Sequence, residues 1–369
     1  MPKPRSYCSI ESPTHGNMLW VALDHGATRI GYAFTDDRAK SYTTFDEAAA
    51  IKEAITAVKP FDIEFERVDW WTIYTVGQKI AKNFSIDDCV FLAGDACHTH
   101  SSGAAQGMNT GLHDAVNLAW KLYLILRGAR PPNLLQTYQA ERRPNVERLI
   151  QYDKDISRLM TNRLPENWIG DPDADVNVVL GHVMADAGAF TSGLDISYEI
   201  QESNPLNVDG SFRSSRPTIK PGRRGPDITL LRPGTFEPTR LIRELPNTAA
   251  FGILIFATVN KPAIPDSTYR SIAGELFLEA LVQSGRLKFI TIFPNRAPSP
   301  YELLGYKPLG RAYFDNEARE GYSRYGVDTE QGAIVVLRPD GWIGTMIMLG
   351  PRSGSELRSY FDNIFLVVP

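Results

Sequence analysis

Residues 91–109 read Phe-Leu-Ala-Gly-Asp-Ala-Cys-His-Thr-His-Ser-Ser-Gly-Ala-Ala-Gln-Gly-Met-Asn. A short apolar strand running into Gly94-Asp95 puts a carboxylate at the strand's C-terminal end, where it can accept hydrogen bonds from the hydroxyls of a sugar chain. Gly94 has no Cβ, so a ligand can approach its backbone closely. The small-residue loop Ser101–Gly107 then delivers backbone N–H groups and the start of a helix, and helix N-termini attract negative charge. A cofactor with a polyhydroxyl chain and a ring that turns anionic on reduction fits this layout, and flavin is such a group. A helix beginning near Gln106-Gly107-Met108-Asn109 would stabilise the reduced ring. The candidate cofactor-binding residues are therefore Gly94, Asp95, Ala105, Gln106, Gly107, Met108 and Asn109.

Other chemistries have weaker support. Cys97, His98, His100 and His113 are metal-ligand types, but they lack a matching distal cluster, so no metal is expected. The three cysteines are Cys8, Cys89 and Cys97, and none lies beyond position 97, so thiol redox work in the C-terminal part is excluded. Trp70-Trp71 with Phe61, Phe65 and Tyr74 reads as a hydrophobic sheet face, with an aromatic-ligand pocket as the alternative. Glu141-Arg142-Arg143 reads as a surface ion-pair set of little energetic worth. No residue stands out as a catalytic base, and the catalytic residues are unknown from sequence.

The elements that must position this loop follow from periodicity. Residues 18–34 read as a hairpin around Asp24-His25-Gly26, and Asp46–Val58 as a short helix. Phe61–Thr75 reads as strands, Val76–Phe84 as helix-like, and Val90–Ala93 as a buried strand. Gly107–Arg127 is the clearest helix, with Met108, Leu112, Ala115, Ala119, Leu122 and Leu126 on one apolar face. Lys121 and Arg127 fall toward its C-terminal end, and Gly128 is a natural stop. Leu134–Met160 is a second helix with a kink or break at Pro144. Thr161–Ser215 is rich in Asp, Asn, Gly, Ser and Pro and reads as a connection that wraps rather than packs. Beyond it come strands at Ile228–Leu231, Phe251–Val259 and Leu287–Phe293. Helices are expected at Thr239–Leu245 and Tyr269–Ser284. A hairpin, Ala333–Leu337 with Ile343–Met348, turns at Arg338-Pro-Asp-Gly341, and a last helix starts at Leu357–Phe361. This alternation fits a small α/β layer of thioredoxin type.

The chain's 369 residues and 41.1 kDa allow two domains. The division expected is 1–165 for the rear of a cofactor and substrate domain, 166–215 as connection, and 216–369 as the thioredoxin-like domain. A net charge of −4 argues against non-specific nucleic-acid or acidic-membrane partners. No apolar run approaches the roughly 20 residues that span a bilayer. Met1–Asn17 carries no apolar signal core, and the unpaired cysteines fit a reducing compartment, so a cytoplasmic location is expected.

Several motifs together resemble the flavin domain of FAD-dependent aromatic-ring monooxygenases, the fungal phenol hydroxylase (phenol 2-monooxygenase) group above all. They are Tyr74-Thr-Val-Gly-Gln-Lys-Ile-Ala81, Gly94-Asp95, Gln106-Gly-Met-Asn109, Asp114-Ala-Val-Asn-Leu-Ala-Trp-Lys-Leu122 and Tyr138-Gln-Ala-Glu-Arg-Arg-Pro144. Pro221-Gly-Arg-Arg-Gly-Pro-Asp227 and Arg338-Pro-Asp-Gly341 resemble the opening and the later hairpin of that group's C-terminal domain. The resemblance implies an α/β (α+β) chain: an incomplete p-hydroxybenzoate-hydroxylase (PHBH)-type flavin monooxygenase domain followed by a thioredoxin-like dimerisation domain. It implies FAD as cofactor, and hydroxylation of a phenolic or other aromatic small molecule with O2 at the expense of NADPH. Implied partners are a second copy through the C-terminal domain, or a complementing N-terminal flavin-binding chain.

Three departures from the family pattern qualify that expectation. The 29 glycines include no Gly-x-Gly, so the Gly-x-Gly-x-x-Gly that holds the pyrophosphate of FAD is absent. The family's middle Asp-Gly motif, tied to NADPH use, has no counterpart either. Ser102 and Ala105 stand where the family has Pro and Gly. In Ala27–Phe34, Gly31 takes the usual Tyr place and Tyr32 is shifted by one, which turns its side chain to the other strand face. The competing expectation is a non-catalytic remnant that binds a protein partner or an aromatic ligand, with little FAD retained by the chain alone.

Overall fold

Alternating residues of the N-terminal hairpin face one small core. In the computed structural model, which describes residues 7–75, 77–101, 103, 105–128, 134–201 and 204–365, β1 (Tyr7–Ser12), β2 (Gly16–Ala22) and β3 (Thr28–Gly31) form an antiparallel sheet. Met18 and Trp20 on one face of β2 bury against Ala57 and Val58 of the following helix, with Ile10, Ile30 and Ile63 around them. The short α1 (Asp36–Ala39) leads to α2 (Glu47–Ala57), started by Asp46, whose carboxylate accepts from Ala49 N at 2.9 Å. Glu53 on α2 gathers His15 Nε2 at 2.7 Å, Arg38 Nη1 at 2.8 Å and the Tyr42 hydroxyl, tying the hairpin turn to both helices. Tyr32 donates to Ala50 O at 3.1 Å and stands edge-on to His15. Burial and the Glu53 charge push its phenol up to about 12, so it is a protonated packing group.

The next stretch departs from expectation. Residues 61–75 contain no strand; Trp70 is 72% and Tyr74 61% exposed. Trp71 instead joins a half-buried group of rings with Phe45, Phe34 and Tyr42. Strand-favouring side chains form no strand where no neighbour supplies a ladder. Val76 lies outside the described residues, and 77–84 holds no helix, only β4 (Lys79–Ile80). Then come β5 (Ser85–Ile86), β6 (Val90–Phe91) and β7 (His98–Thr99), each two residues long; β5 pairs with β6 and β4 with β7. The strand at Val90–Ala93 is thus short and not buried, with Val90 55% exposed.

Two long helices follow, α3 (Gly107–Leu126) and α4 (Gln136–Met160). The predicted apolar face of α3 is the exposed one: Met108, Leu112 and Leu126 are 78%, 57% and 85% exposed. Thr110, Asp114, Asn117, Trp120, Lys121 and Leu124 are the buried residues. α4 runs unbroken through Pro144, where Asn145 Nδ2 donates to the Glu141 carbonyl at 2.9 Å. The region expected only to wrap contains α5 (Val176–Asp186), capped by Asp175, and α6 (Gly188–Thr191).

Beyond residue 204 lies a seven-stranded sheet. Its members are β8 (Thr229–Leu231), β9 (Pro238–Arg240), β10 (Phe251–Phe256), β11 (Leu287–Phe293), β12 (Arg311–Asp315), β13 (Ala333–Leu337) and β14 (Ile343–Met348), in the order β14-β13-β10-β11-β12-β8-β9. β10–β11 and β11–β12 are parallel and the other pairs antiparallel. Six helices accompany it: α7 (Leu241–Glu244), α8 (Asp266–Ala273), α9 (Leu276–Gln283), α10 (Pro300–Leu304), α11 (Glu320–Tyr325) and α12 (Ser353–Asp362). The single helix expected over Tyr269–Ser284 is thus two, split at Gly274 and Glu275. Alternate residues of β10 enter separate cores, Ile253 and Ile255 on one face and Leu254 and Phe256 on the other, which is why all six are buried. This parallel-centred, helix-covered sheet is of thioredoxin-like type.

The chain divides into two units, one of Met1–Ala81, His98–Met108 and Val146–Ala189, the other of Lys82–Cys97, Asn109–Asn145 and Phe190–Pro369. Among the described residues no helix is long and apolar enough to cross a membrane.

Candidate functional site

Gly94 and Asp95 sit in a single 3-10 turn, Gly94–Ala96, directly after the extended Ala93. Gly94 has φ +60°, a conformation that L side chains rarely adopt, so the turn itself demands glycine. Its N–H donates to Asp114 Oδ2 at 3.0 Å, and Asp114 Oδ1 accepts from Arg142 Nε at 2.7 Å. The fully buried Asp114 of α3 therefore holds the turn from behind, with its charge matched by a buried arginine of α4. Asp95 is exposed, and among the described residues no side-chain hydrogen bond or ion pair engages its carboxylate. An acceptor held on a rigid turn and left unpaired suits a sugar hydroxyl. Cys97 just behind is buried; burial and the Asp114 charge push its thiol up to about 12, which rules it out as a nucleophile near neutral pH. Burial and Arg142 push His113 down to about 4, so it is neutral and packs edge-on against Trp342.

The second set of candidates starts in the loop after β7. Thr99 Oγ1 donates to Gly77 O at 2.7 Å, and Ser101 is tied to Asp153 of α4 through both its N–H, at 2.8 Å, and its hydroxyl, at 2.5 Å. His100 Nδ1 lies 2.8 Å from Ser101 O, the backbone bond expected of a loop histidine. Ser102 lies outside the described residues. Ala105 has φ +51°, so the position where the family carries Gly keeps the glycine-type backbone with a methyl added. Gln106 and Gly107 are half-buried, whereas Ala105, Met108 and Asn109 are exposed at the start of α3. Ala105–Met108 belong to the first unit; Asn109, Gly94 and Asp95 belong to the second. A helix of 20 residues opening on Gly107 fits a ring of partial negative charge.

The charged motifs have a role that sequence reading missed. Glu141 and Arg142 are each 1% exposed, so Glu141-Arg142-Arg143 is not a surface set. Arg338 of the hairpin turn meets Glu141 Oε1 at 2.6 Å and Oε2 at 2.9 Å, and Lys121 Nζ meets Oε2 at 2.8 Å. Asn117, Asn204 and Asn207 complete the shell, and Asp340 bridges Arg338 to the Trp120 indole N–H. Burial alone would raise the Glu141 carboxyl; Arg338 and Lys121 overturn that and hold it well below the usual range. Burial pulls Lys121 down to about 8 against the attraction of Glu141. Lys121 thus serves this cluster and not the helix dipole. The available signal was the joint occurrence of Asn117, Lys121, Glu141 and Arg338-Pro-Asp340, polar groups at helical and hairpin positions that face inward.

Comparison with known proteins agrees with this architecture. Residues 6–153 match the FAD binding domain family, and residues 298–368 match the phenol hydroxylase C-terminal dimerisation domain. A phenol 2-monooxygenase of Aspergillus fumigatus is 30% identical over 366 residues, covering 94% of this chain and 58% of its own. An FAD-dependent monooxygenase of Aspergillus terreus is 29% identical over 392 residues, covering 98% of this chain and 62% of its own. Among solved structures, an aklavinone-11 hydroxylase in ternary complex with FAD and aklavinone superposes with a TM-score of 0.66 at 17% identity, over 97% of this chain and 58% of that one. An aromatic hydroxylase from angucycline biosynthesis gives a TM-score of 0.61 at 23% identity, over 97% of this chain and 60% of that one. The fold class is that of the PHBH-type flavin hydroxylases. Within it, the chain combines FAD-binding-domain sequence with the dimerisation domain of the phenol hydroxylases, and its homologues are phenol 2-monooxygenase and other FAD-dependent monooxygenases. The chain spans about 60% of the length of the curated relatives it matches.

Proposed function

We propose that this chain provides the ribityl and ring side of the flavin site in an FAD-dependent aromatic monooxygenase that hydroxylates a phenolic small molecule. FAD, when bound, supplies the redox chemistry that activates O2, with NADPH as reductant. Asp95 accepts from a ribityl hydroxyl, and the first turn of α3, from Gln106 to Asn109, offers its amides and dipole to the ring. Asp114 and Arg142 keep the Gly94 turn in place. No Gly-x-Gly occurs in these 369 residues, so the reading assigns them the ribityl and ring side and makes no assignment for the pyrophosphate. A second copy docks through the dimerisation domain.

The observation that supports this reading best is Asp95, an exposed, unpaired carboxylate on a turn braced by a buried ion pair. Riboflavin, which lacks the pyrophosphate, tests this half of the site by itself. Titration should quench riboflavin fluorescence, and Asp95→Ala should weaken binding about tenfold, the worth of one charge-assisted hydrogen bond. A wild-type chain that leaves riboflavin fluorescence and anisotropy unchanged would overturn the proposal.

A further inference from the structure

Asp153, in the second half of α4, is fully buried, yet among the described residues no lysine or arginine pairs with it. A buried carboxylate without a cation is costly, and it persists only where several donors converge on it. Three do. Oδ2 accepts from Ser101 N and from Gln78 Nε2, both at 2.8 Å, and Oδ1 accepts from Ser101 Oγ at 2.5 Å. Ser101 Oγ passes the restraint on, accepting from Gly103 N at 3.1 Å and from Ser157 Oγ at 3.3 Å. One carboxylate thus grips the chain on both sides of the β4–β7 ladder: Gln78 just before β4 and Ser101 just after β7.

The gripped residue stands a few positions before the candidate ring-binding turn. His100 connects the two. Its ring sits 3.9 Å from Asp153 Oδ1 at Nδ1, and a Cβ placed on Gly107 would come 3.7 Å from its Nε2 and Cε1. Nε2 is buried without a hydrogen-bond partner among the described residues. The imidazole therefore serves as a wall under the first residue of α3, and Asp153 with Ser101 keeps that wall in place. An acceptor-only group suits all three donors: an amide at 153 would keep its oxygen for two of them but turn an N–H toward the Ser101 hydroxyl, which already accepts from Gly103 N and Ser157 Oγ.

We propose that Asp153 is a positioning residue for the flavin ring, presetting Ser101 and His100 so that the α3 turn beginning at Gly107 meets the ring in one geometry. This rests on the flavin reading above. The test compares wild type with Asp153→Asn, Ser101→Ala and the hydroxyl-preserving Ser101→Thr, using riboflavin affinity and the visible circular dichroism of the bound flavin. Asp153→Asn and Ser101→Ala should weaken binding about tenfold and alter the sign or amplitude of the visible bands, while Ser101→Thr stays near wild type in both. Should Asp153→Asn fail to fold, Ser101→Ala against Ser101→Thr carries the same comparison. Variants that bind riboflavin as wild type does, with unchanged bands, would overturn the positioning role and leave the flavin reading intact. A wild-type chain that binds no riboflavin would overturn both.

Discussion

The seven-stranded sheet and the short ladders at residues 79–99 draw on similar apolar residues, yet they end in opposite states. β10 is buried at all six positions because β11 and β13 flank it and a core covers each face. β5 and β6 pair only with each other, and Ile86 and Val90 are 52% and 55% exposed. Apolar content does not decide burial; the number of covering neighbours does. α3 carries the same lesson inside one helix. Its polar edge is buried because Asp114, Asn117 and Lys121 have partners on α4, while Leu112, Val116 and Leu126 stay exposed among the described residues.

If the ion cluster rather than apolar area secures α3, breaking it should be the costliest change. Glu141→Ala leaves Lys121 buried without a carboxylate and Arg338 with Asp340 as its one remaining carboxylate among the described residues, and should lower stability by about 3–5 kcal/mol in urea unfolding; a loss under about 1 kcal/mol would return the credit to hydrophobic contacts. The same residue sets a pH dependence. Its folded-state pKa lies below its ordinary value of 4.5, so its contribution is complete above that value and is lost as pH falls below it. Wild type should therefore lose thermal stability on acidification from about pH 5 to 3 more steeply than Glu141→Gln; parallel curves would contradict the cluster's charge state. On the flavin side the expected effects are smaller. Ala105→Gly should raise stability by about 0.5–1 kcal/mol by relieving the left-handed backbone, read as a higher unfolding midpoint. Leu126→Lys, on the exposed edge of α3, should change stability by less than about 0.5 kcal/mol, whereas a large loss would mean that this edge is covered in solution.

Legibility followed how local each cause was. The hairpin at 16–31 and α2 were readable because alternation, Gly26 and the Asp46 cap are neighbours in sequence. β10, β11, β13 and β14 were readable because continuous apolar runs between turn residues have few other uses. β12, α10 and α11 were missed, since short elements depend on pairing or capping that no run announces. Residues 61–75 were misread in the other direction, because aromatic and branched residues favour a strand only when another strand is there, and the helix-like pattern over 77–84 proved to hold the two-residue β4. At the site, Gly94-Asp95 and the helix from Gly107 were visible as motifs. Asp114, Arg142 and Asp153, which hold those motifs in shape, were not, because their partners lie 20 to 52 positions away along the chain.

The chain's own order of residues determined which chemistry is on offer: a carboxylate after a tight turn, a helix opening on glycine, no Gly-x-Gly, and no cysteine past position 97. These are properties of residue type and near spacing, and they survive any packing. Tertiary structure alone decided which charges are buried and which apolar faces are bare. Burial is a property of neighbours brought from afar, and the energy of an ion pair depends on the water its neighbours exclude.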